Sequence, residues 1–509
     1  VGIQGCKLQL QIEVIKNPMM NQEQFKQMAA AGHNRIPLYR CISADLDTPL
    51  SAWLKLANGK HTFLLESVEG GARWGRYSII GLSANFRFQV HGRKFQEFAY
   101  DTLVDEYEVE DVLQQVETIK ARYSVPEIEE LPGFNGGLVG YFGYEIIEQI
   151  EPKLIGLAPE DRLHIPDVNM MLAEDIAVFD NLAGKVWLMV HVNPHEELAY
   201  EKGKKRLEDL THRLRSGTTG YAELINQDSI DTTDFKTGFT QGEFNVAVDQ
   251  CKSYIESGDI MQVVLSQRIS TKFNARPLDV YRALRASNPS PYMYFIDFGD
   301  YQVVGSSPEV LVRRIGDEVT LRPIAGTRPR GKTAEEDRAL EIDLLNDPKE
   351  IAEHLMLIDL GRNDIGRIAE IGSVVLKDKM IIEHYSHVMH IVSEIRGQLK
   401  TGKSNADIIK AVFPAGTLSG AAKVRAMEVI AELEKVKRNV YAGAVGYWGW
   451  HGDMDMAIAI RTAVIKDQEL HVQAGAGIVA DSTAENEWQE IMNKSKAVFR
   501  AVEQATKGL

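Results

Sequence analysis

The chain has 509 residues, 44% hydrophobic and 25% charged, with a formal net charge of −15. That composition allows a large core without staples and argues against non-specific nucleic-acid binding, which needs a basic footprint. Cys6, Cys41 and Cys251 are far apart and in no metal-ligand spacing, so reduced thiols in a cytosolic protein are expected. The sequence has no apolar run of spanning length, signal-peptide core or Arg/Ser-rich transit segment, so no membrane role is expected.

Residues 1–34 read as an arm of mixed composition. From 35 to 215 the chain reads as strand-rich with helices. The run 62–67 (TFLLES) is a strand, Gly70-Gly71 a turn, and 77–81 the next strand. The run 136–143 is small and aromatic, as close sheet packing requires. A charged helix near 195–215 leads into a polar linker over 216–238. The remaining region, 239–509, opens with a helix over 243–257, where Phe244, Ala247, Val248, Cys251, Tyr254 and Ile255 share one face. Strand and helix signals then alternate irregularly, and His451-Gly452-Asp453 marks a hairpin. This pattern predicts an α+β fold with antiparallel or mixed sheets rather than a regular βαβ series.

Two helices carry paired glutamates. Asp347 suits an N-cap, Pro348 the first helical position and Gly361 a stop, with Ile351, Leu355 and Ile358 as the buried stripe. Glu350 and Glu353, three apart, share one face of that helix. A second helix begins near 481–483, with Trp488, Ile491, Val498 and Phe499 on its apolar side, and repeats the spacing at Glu487 and Glu490. Four carboxylates in one cleft would repel one another unless a cation neutralised them, and oxygen-only ligation suits Mg²⁺. The plainer alternative is a capping box between Glu350 and Asp347, and a pairing of Glu487 with Lys494 on a solvated face.

The run 454–464 alternates as a strand. Met454, Met456, Ile458 and Ile460 form one face, and Ala457, Ala459, Arg461 and Ala463 the other. Small neighbours leave Arg461 room to meet a planar carboxylate with its two-pronged donor, unless a core acid already pairs with it. Gly475 and Gly477 read as a Gly-rich strand-to-helix turn whose N–H groups could approach an anion, or simply as a turn. His384, His387 and His390 crowd one strand. A zinc site is disfavoured because no cysteine or HExxH helix accompanies them. A single general acid or base is the better reading.

The segments 323–331 (PIAGTRPRG), 353–364 (EHLMLIDLGRND), 414–420 (PAGTLSG) and 475–479 (GAGIV) resemble the chorismate-utilising enzymes over about 245–500. The stretch 37–190, including Leu64-Leu65-Glu66-Ser67, resembles the N-terminal domain of the anthranilate-forming members. The resemblance implies two large, packed, mostly antiparallel β-sheets with helices outside and an active-site cleft between them. It implies that Glu353 and Glu490 hold Mg²⁺, supported by Glu350 and Glu487. The metal would bind the ring carboxylate of chorismate, helped by backbone donors around Gly475 and Gly477. Arg461 with Tyr441 would take the enolpyruvyl carboxylate. His390 would protonate the departing 4-hydroxyl or assist the later elimination, and Thr417, Gly326 and Thr327 would line the pocket.

Two positions separate family members. Isochorismate- and salicylate-forming members resemble one another in carrying a water-activating Lys where this chain has Gln262. Aminodeoxychorismate-forming members carry a ring-attacking Lys where it has Ala325. The resemblance therefore implies attack of ammonia at C2, followed by pyruvate loss to anthranilate. No cysteine sits in a Gly-x-Cys-x-Gly elbow, so the ammonia is expected from a separate glutaminase subunit in a hetero-oligomer, with free ammonia a weaker substitute. Glu66, Ser67, Asn288, Pro291, Tyr292 and Met293 resemble the family's tryptophan-inhibition site, with Glu66 accepting the amino group; otherwise they are a strand end and a turn. Two alternatives stand beside this reading. Aminodeoxychorismate synthesis is disfavoured by Ala325. An inactive tryptophan-sensing scaffold is disfavoured by retention of the glutamates, Arg461 and His390. The expected setting is cytoplasmic, with a bacterial cytosol or a plastid stroma both fitting.

Overall fold

A computed structural model describes residues 20–57, 59–68, 75–219, 235–385 and 388–508. Cys6, the Gly70-Gly71 turn, His387 and residues 220–234 of the linker lie outside these; Cys41 and Cys251 are buried. Among the described residues the strands form two twelve-stranded sheets, every ladder within them antiparallel.

Both sheets draw strands from the two halves of the chain. In one, Thr62–Glu66 pairs with Tyr292–Asp297, and Leu64 lies opposite Phe295. In the other, Gly137–Phe142 pairs with Ala444–Gly449, and Gly140 lies opposite Gly446. A buried cluster including Phe63, Val139, Tyr141, Ile176, Tyr294, Val303, Val445 and Val464 joins strands of the two sheets. The Tyr141 and Tyr301 hydroxyls within it lie 2.7 Å apart, and Asn169 Nδ2 donates to Tyr301 at 2.9 Å. Helices Ala199–Ser216, Pro277–Ser287 and Ala484–Lys507 bury Leu207, Leu284 and Val498 against the first sheet. No helix among the described residues is long and apolar enough to cross a membrane.

The glycines at the sheet seam are steric requirements. A Cβ on Gly140 would lie 2.0 Å from the Asn169 carbonyl oxygen, a backbone atom of the paired neighbouring strand. Gly140→Ala is expected to cost stability at or above the upper end of the about 1–3 kcal/mol typical of overpacking. A urea or thermal melt reads it, and an unchanged midpoint would show that the seam can shift.

Several sequence expectations are corrected. The first glutamate helix is Pro348–Gly366 and does not stop at Gly361. Gly361 is buried in it because a Cβ there would come within 2.8 Å of Ile395, so its missing side chain lets the helix sit close to the sheet. The buried stripe is His354, Leu357, Ile358 and Ile365, while Leu355 is exposed. The run 454–464 is not one strand. Met454–Ile458 belongs to one sheet and Thr462–Lys466 to the other, and Arg461, at φ +52°, sits in the crossing. Residues 383–390 are likewise two strands of a hairpin, Val375–His384 and Val388–Gln398, with Glu383 opposite His390. The hairpin at 451–453 forms as expected, between Ala444–Gly449 and Met454–Ile458.

Candidate active site

Asp347 caps the first glutamate helix by accepting from Lys349 N and Glu350 N, at 3.0 and 3.4 Å. Thr483 caps the second, Ala484–Lys507, by accepting from Asn486 N. Both helices open onto one cavity of about 540 Å³, which Glu350, Glu353, Glu487 and Glu490 line together. The capping-box alternative for Glu350 is not realised: its carboxylate approaches Arg328 at 3.7 Å. Burial raises the Glu350 carboxyl above its ordinary range, and repulsion from Glu353 and Asp347 adds to it. Burial likewise raises Glu487, with repulsion from Glu490 in support. Lys494 reaches Glu490 at 2.6 Å and donates to the Gly475 carbonyl at 3.0 Å.

This donor set fits Mg²⁺. Its ligands are oxygens, the two acid pairs come from two helices, and Glu350 and Glu487 are raised by burial with repulsion from the neighbouring acid in support, a repulsion that a cation would relieve. No preformed cluster of three or more His, Cys, Asp or Glu stands among the described residues. Mg²⁺ does not need one, since it takes one or two protein carboxylates and completes its shell with water or substrate oxygens.

Across the cavity lie the anion donors. Arg461 lines it and makes no ion pair among the described residues, which removes the core-acid alternative. Burial lowers its basicity against the usual guanidinium. Tyr441 is buried with its hydroxyl against Gly475, where a Cβ would be 2.9 Å away. Gly475 and Gly477 do not form a turn. They sit within strand Glu469–Ile478, opposite Ser266 and Val264. Their role is space: a side chain at 477 would meet Gln262 Nε2 at 2.6 Å. The ladder to Thr462–Lys466 ends at Ala463 opposite Val472. Beyond it, one edge of this strand has no strand partner among the described residues.

Gln262, Ala325, Gly326, Thr327, His390 and Thr417 line the same cavity. Gly326, at φ +71°, is the extra residue of a bulge between Ile324–Pro329 and Val388–Gln398. The bulge puts its carbonyl 2.9 Å from His390 Nδ1, with Thr327 Oγ1 at 3.1 Å. Nδ1 must carry the proton to donate to that carbonyl, which leaves Nε2 as an acceptor. Burial lowers the His390 pKa and Arg461 adds to this, so the ring is held neutral.

Sequence reasoning missed Glu309. It follows Pro308 at the end of strand Tyr301–Ser307, lines the cavity and accepts from Thr417 Oγ1 at 3.1 Å. Desolvation pushes its carboxyl up to about 7, against the Thr417 bond and the charge of Lys494. The available signal was a lone acid within VVGSSPEVLV, a run otherwise apolar or small.

A second cavity, of about 330 Å³, is lined by Glu66, Ser67, Pro291, Tyr292 and Met293, together with Arg313 and Asp455. Asn288 is not on its wall; it caps helix Pro277–Ser287 and donates to Ser306 Oγ at 3.2 Å. The Glu66 carboxylate is already engaged by the Tyr281 hydroxyl and by Arg285 Nε at 2.9 Å. Asp455 accepts from the Tyr292 hydroxyl at 2.9 Å, and burial raises its carboxyl despite Arg313. A third cavity, of about 390 Å³, shares Pro291 and Tyr292 with this one and Pro308 and Ile324 with the 540 Å³ cavity.

A profile of chorismate binding enzymes matches residues 61–500. The chain is 56% identical over 485 residues to anthranilate synthase component 1 of Pseudomonas putida, covering 95% of this chain and 98% of that protein. The crystal structure of anthranilate synthase component I from Streptococcus pneumoniae TIGR4 superposes with a TM-score of 0.75 at 40% identity, covering 90% of this chain and 98% of that one. The menaquinone-specific isochorismate synthase of Escherichia coli shares the fold, with a TM-score of 0.69 at 18% identity over 95% and 98% of the two chains.

Proposed function

The chain belongs to the chorismate binding enzymes, and on that premise we propose that it is the chorismate-binding subunit of anthranilate synthase, a lyase that makes anthranilate and pyruvate from chorismate and ammonia. The observation that carries this choice within the family is the cavity wall at Gln262 and Ala325. Neither side chain can activate water or attack the ring as an amine would, so the nucleophile enters as ammonia.

The residues divide the work by charge. Arg461, unpaired and facing the cavity, takes the enolpyruvyl carboxylate through its two-pronged donor. Glu353 and Glu490 would hold Mg²⁺, with Glu350 and Glu487 behind them, and the ion supplies the charge that neutralises the ring carboxylate. As ammonia bonds to C2, both ring double bonds shift by one position towards C4, the C4–O bond breaks, and the new ammonium nitrogen loses a proton to become the amine. Glu309 gives that oxygen its proton, so the group leaves as water; a carboxyl raised to about 7 keeps a large protonated fraction near neutrality. His390 suits the second step, because its bare Nε2 can accept the C2 proton as the enolpyruvyl C–O bond breaks. The enolpyruvyl group departs as the enolate, which takes up a proton to become pyruvate, and the ring becomes aromatic.

The relatives' name, component 1, supports a partner component, and in this reading that partner supplies the ammonia. That partner is taken to be a glutaminase in a cytoplasmic hetero-oligomer. The decisive experiment mixes the purified chain with chorismate, Mg²⁺ and an ammonium salt. Anthranilate fluorescence and pyruvate should appear in equal amounts; isochorismate or aminodeoxychorismate as the product would defeat the reading.

The 330 Å³ cavity is assigned to tryptophan as a feedback inhibitor. Tyr292 and Met293 offer the apolar wall, and Glu66 and Asp455 are its two acids, the first held by Tyr281 and Arg285 and the second by Tyr292 and Arg313. The walls shared with the 390 Å³ cavity, and from there with Pro308 beside Glu309, give a physical path for coupling. Asp455→Asn should weaken tryptophan inhibition by about 10-fold or more through loss of a charged hydrogen bond, with uninhibited turnover preserved. Inhibition curves that superimpose on the parent's would remove Asp455 from the site.

A further inference from the structure

Beneath the active-site cavity lies an ion pair that takes no part in the chemistry above. Glu434 caps helix Lys423–Leu433, and Arg438 follows it by four residues. Their side chains are 2% and 1% exposed. Arg438 Nε and Nη2 donate to the Glu434 carboxylate at 2.9 and 2.6 Å. The guanidinium has donors to spare. Nη1 donates to the Leu418 carbonyl at 2.7 Å, and Nη2 to the Val264 carbonyl at 2.8 Å. Glu434 in turn accepts from both Ser266 N and Ser266 Oγ at 2.8 Å. The Arg438 head group also lies 5.6 Å from the centre of the Tyr441 ring.

Together these contacts reach three segments beside the reacting groups, at Leu418, at Val264–Ser266 and at Tyr441. Leu418 and Val264 both line the cavity. Leu418 is next to Thr417, which holds Glu309. Val264 is two residues from Gln262 and opposite Gly477. Tyr441 adjoins Gly475 and influences Arg461. A buried ion pair is weak evidence for stability, because desolvation of both charges offsets much of their attraction. A planar fork with several donors at fixed angles is well suited to holding carbonyls of different segments in one register.

We propose that the buried Glu434–Arg438 pair is a positioning device for the reaction, fixing the Thr417–Leu418 turn, the Val264 strand and the Tyr441 ring relative to one another. The inference rests on the cavity being the site of chorismate amination. Arg438→Lys tests it most sharply. Lysine keeps the positive charge for Glu434 but is a point donor that cannot serve both carbonyls. The double variant Glu434→Gln with Arg438→Met removes the charges together and leaves no buried ion unpaired.

The full-length chain should be assayed with chorismate, Mg²⁺ and ammonium, alongside hydrogen exchange and a thermal melt. Both variants should fold, with kcat lower by on the order of 10²-fold, the cost of a misplacement of about 1 Å, and KM for chorismate little changed. Exchange should quicken in 262–266 and 416–421 and stay at parent levels elsewhere. Parental kcat in Arg438→Lys overturns the proposal, because the charge alone would then suffice. So does loss of protection throughout the chain, or failure of both variants to fold, either of which marks a purely structural pair. If the parent itself makes no anthranilate, the assigned reaction fails, while the exchange pattern still decides whether the pair holds these segments.

Discussion

Glu309→Gln should lower turnover by about 10²–10⁴-fold, the usual worth of a positioned general acid, while leaving the fold intact. Glutamine keeps the shape and can still accept from Thr417, but it has no acidic proton for the departing oxygen. Burial is the main cause of the raised carboxyl, so exchanging an ionisable group for a neutral one there should not reduce stability. The pH dependence gives a second, independent reading. The general acid works only when protonated. With its carboxyl near 7, parent kcat should hold at lower pH and decline as pH rises through neutrality. Thr417→Val removes a hydrogen bond that favours the charged carboxylate, so the decline should move to higher pH. Near-parental turnover in Glu309→Gln would assign the proton to another group.

Glu490→Gln, and separately Glu353→Gln, should each reduce turnover by on the order of 10³-fold, corresponding to several kcal/mol of lost charge stabilisation by a bound cation. Neither residue caps its helix, and both face the cavity, so helix content and melting should be unchanged. The Mg²⁺ concentration giving half-maximal rate should rise in both variants. In the parent it should also rise as pH falls, because burial raises Glu350 and Glu487 and protons then compete with the cation for the same acid cluster. A titration measuring rate against Mg²⁺ at two pH values checks both statements. A variant with the parent's Mg²⁺ response would mean that the acid pairs serve only to balance Lys494 and Lys349.

What the sequence determined by itself was local. The cap at Asp347, the helix start near 481–483, the three-residue spacing that puts each glutamate pair on one helix face, and the hairpin at 451–453 all depend on neighbours a few positions away. The side chains at 262 and 325 needed only to be read against the family resemblance. The packed antiparallel sheets were likewise legible through that resemblance.

Tertiary structure decided the rest, because burial and sheet partners come from distant parts of the chain. Alternation over 454–464 looks the same whether one strand continues or the chain crosses between sheets. Only the folded chain shows that Arg461 occupies the crossing, free of any acid among the described residues. Glycine at 361 suggested a helix stop, yet there it serves close packing against Ile395. Glu66 carries a charge available to a ligand until Arg285, 219 residues away, is folded against it. Glu309 becomes an acid poised near neutrality only when the cavity walls exclude water from it, and no spacing rule along the chain encodes that desolvation.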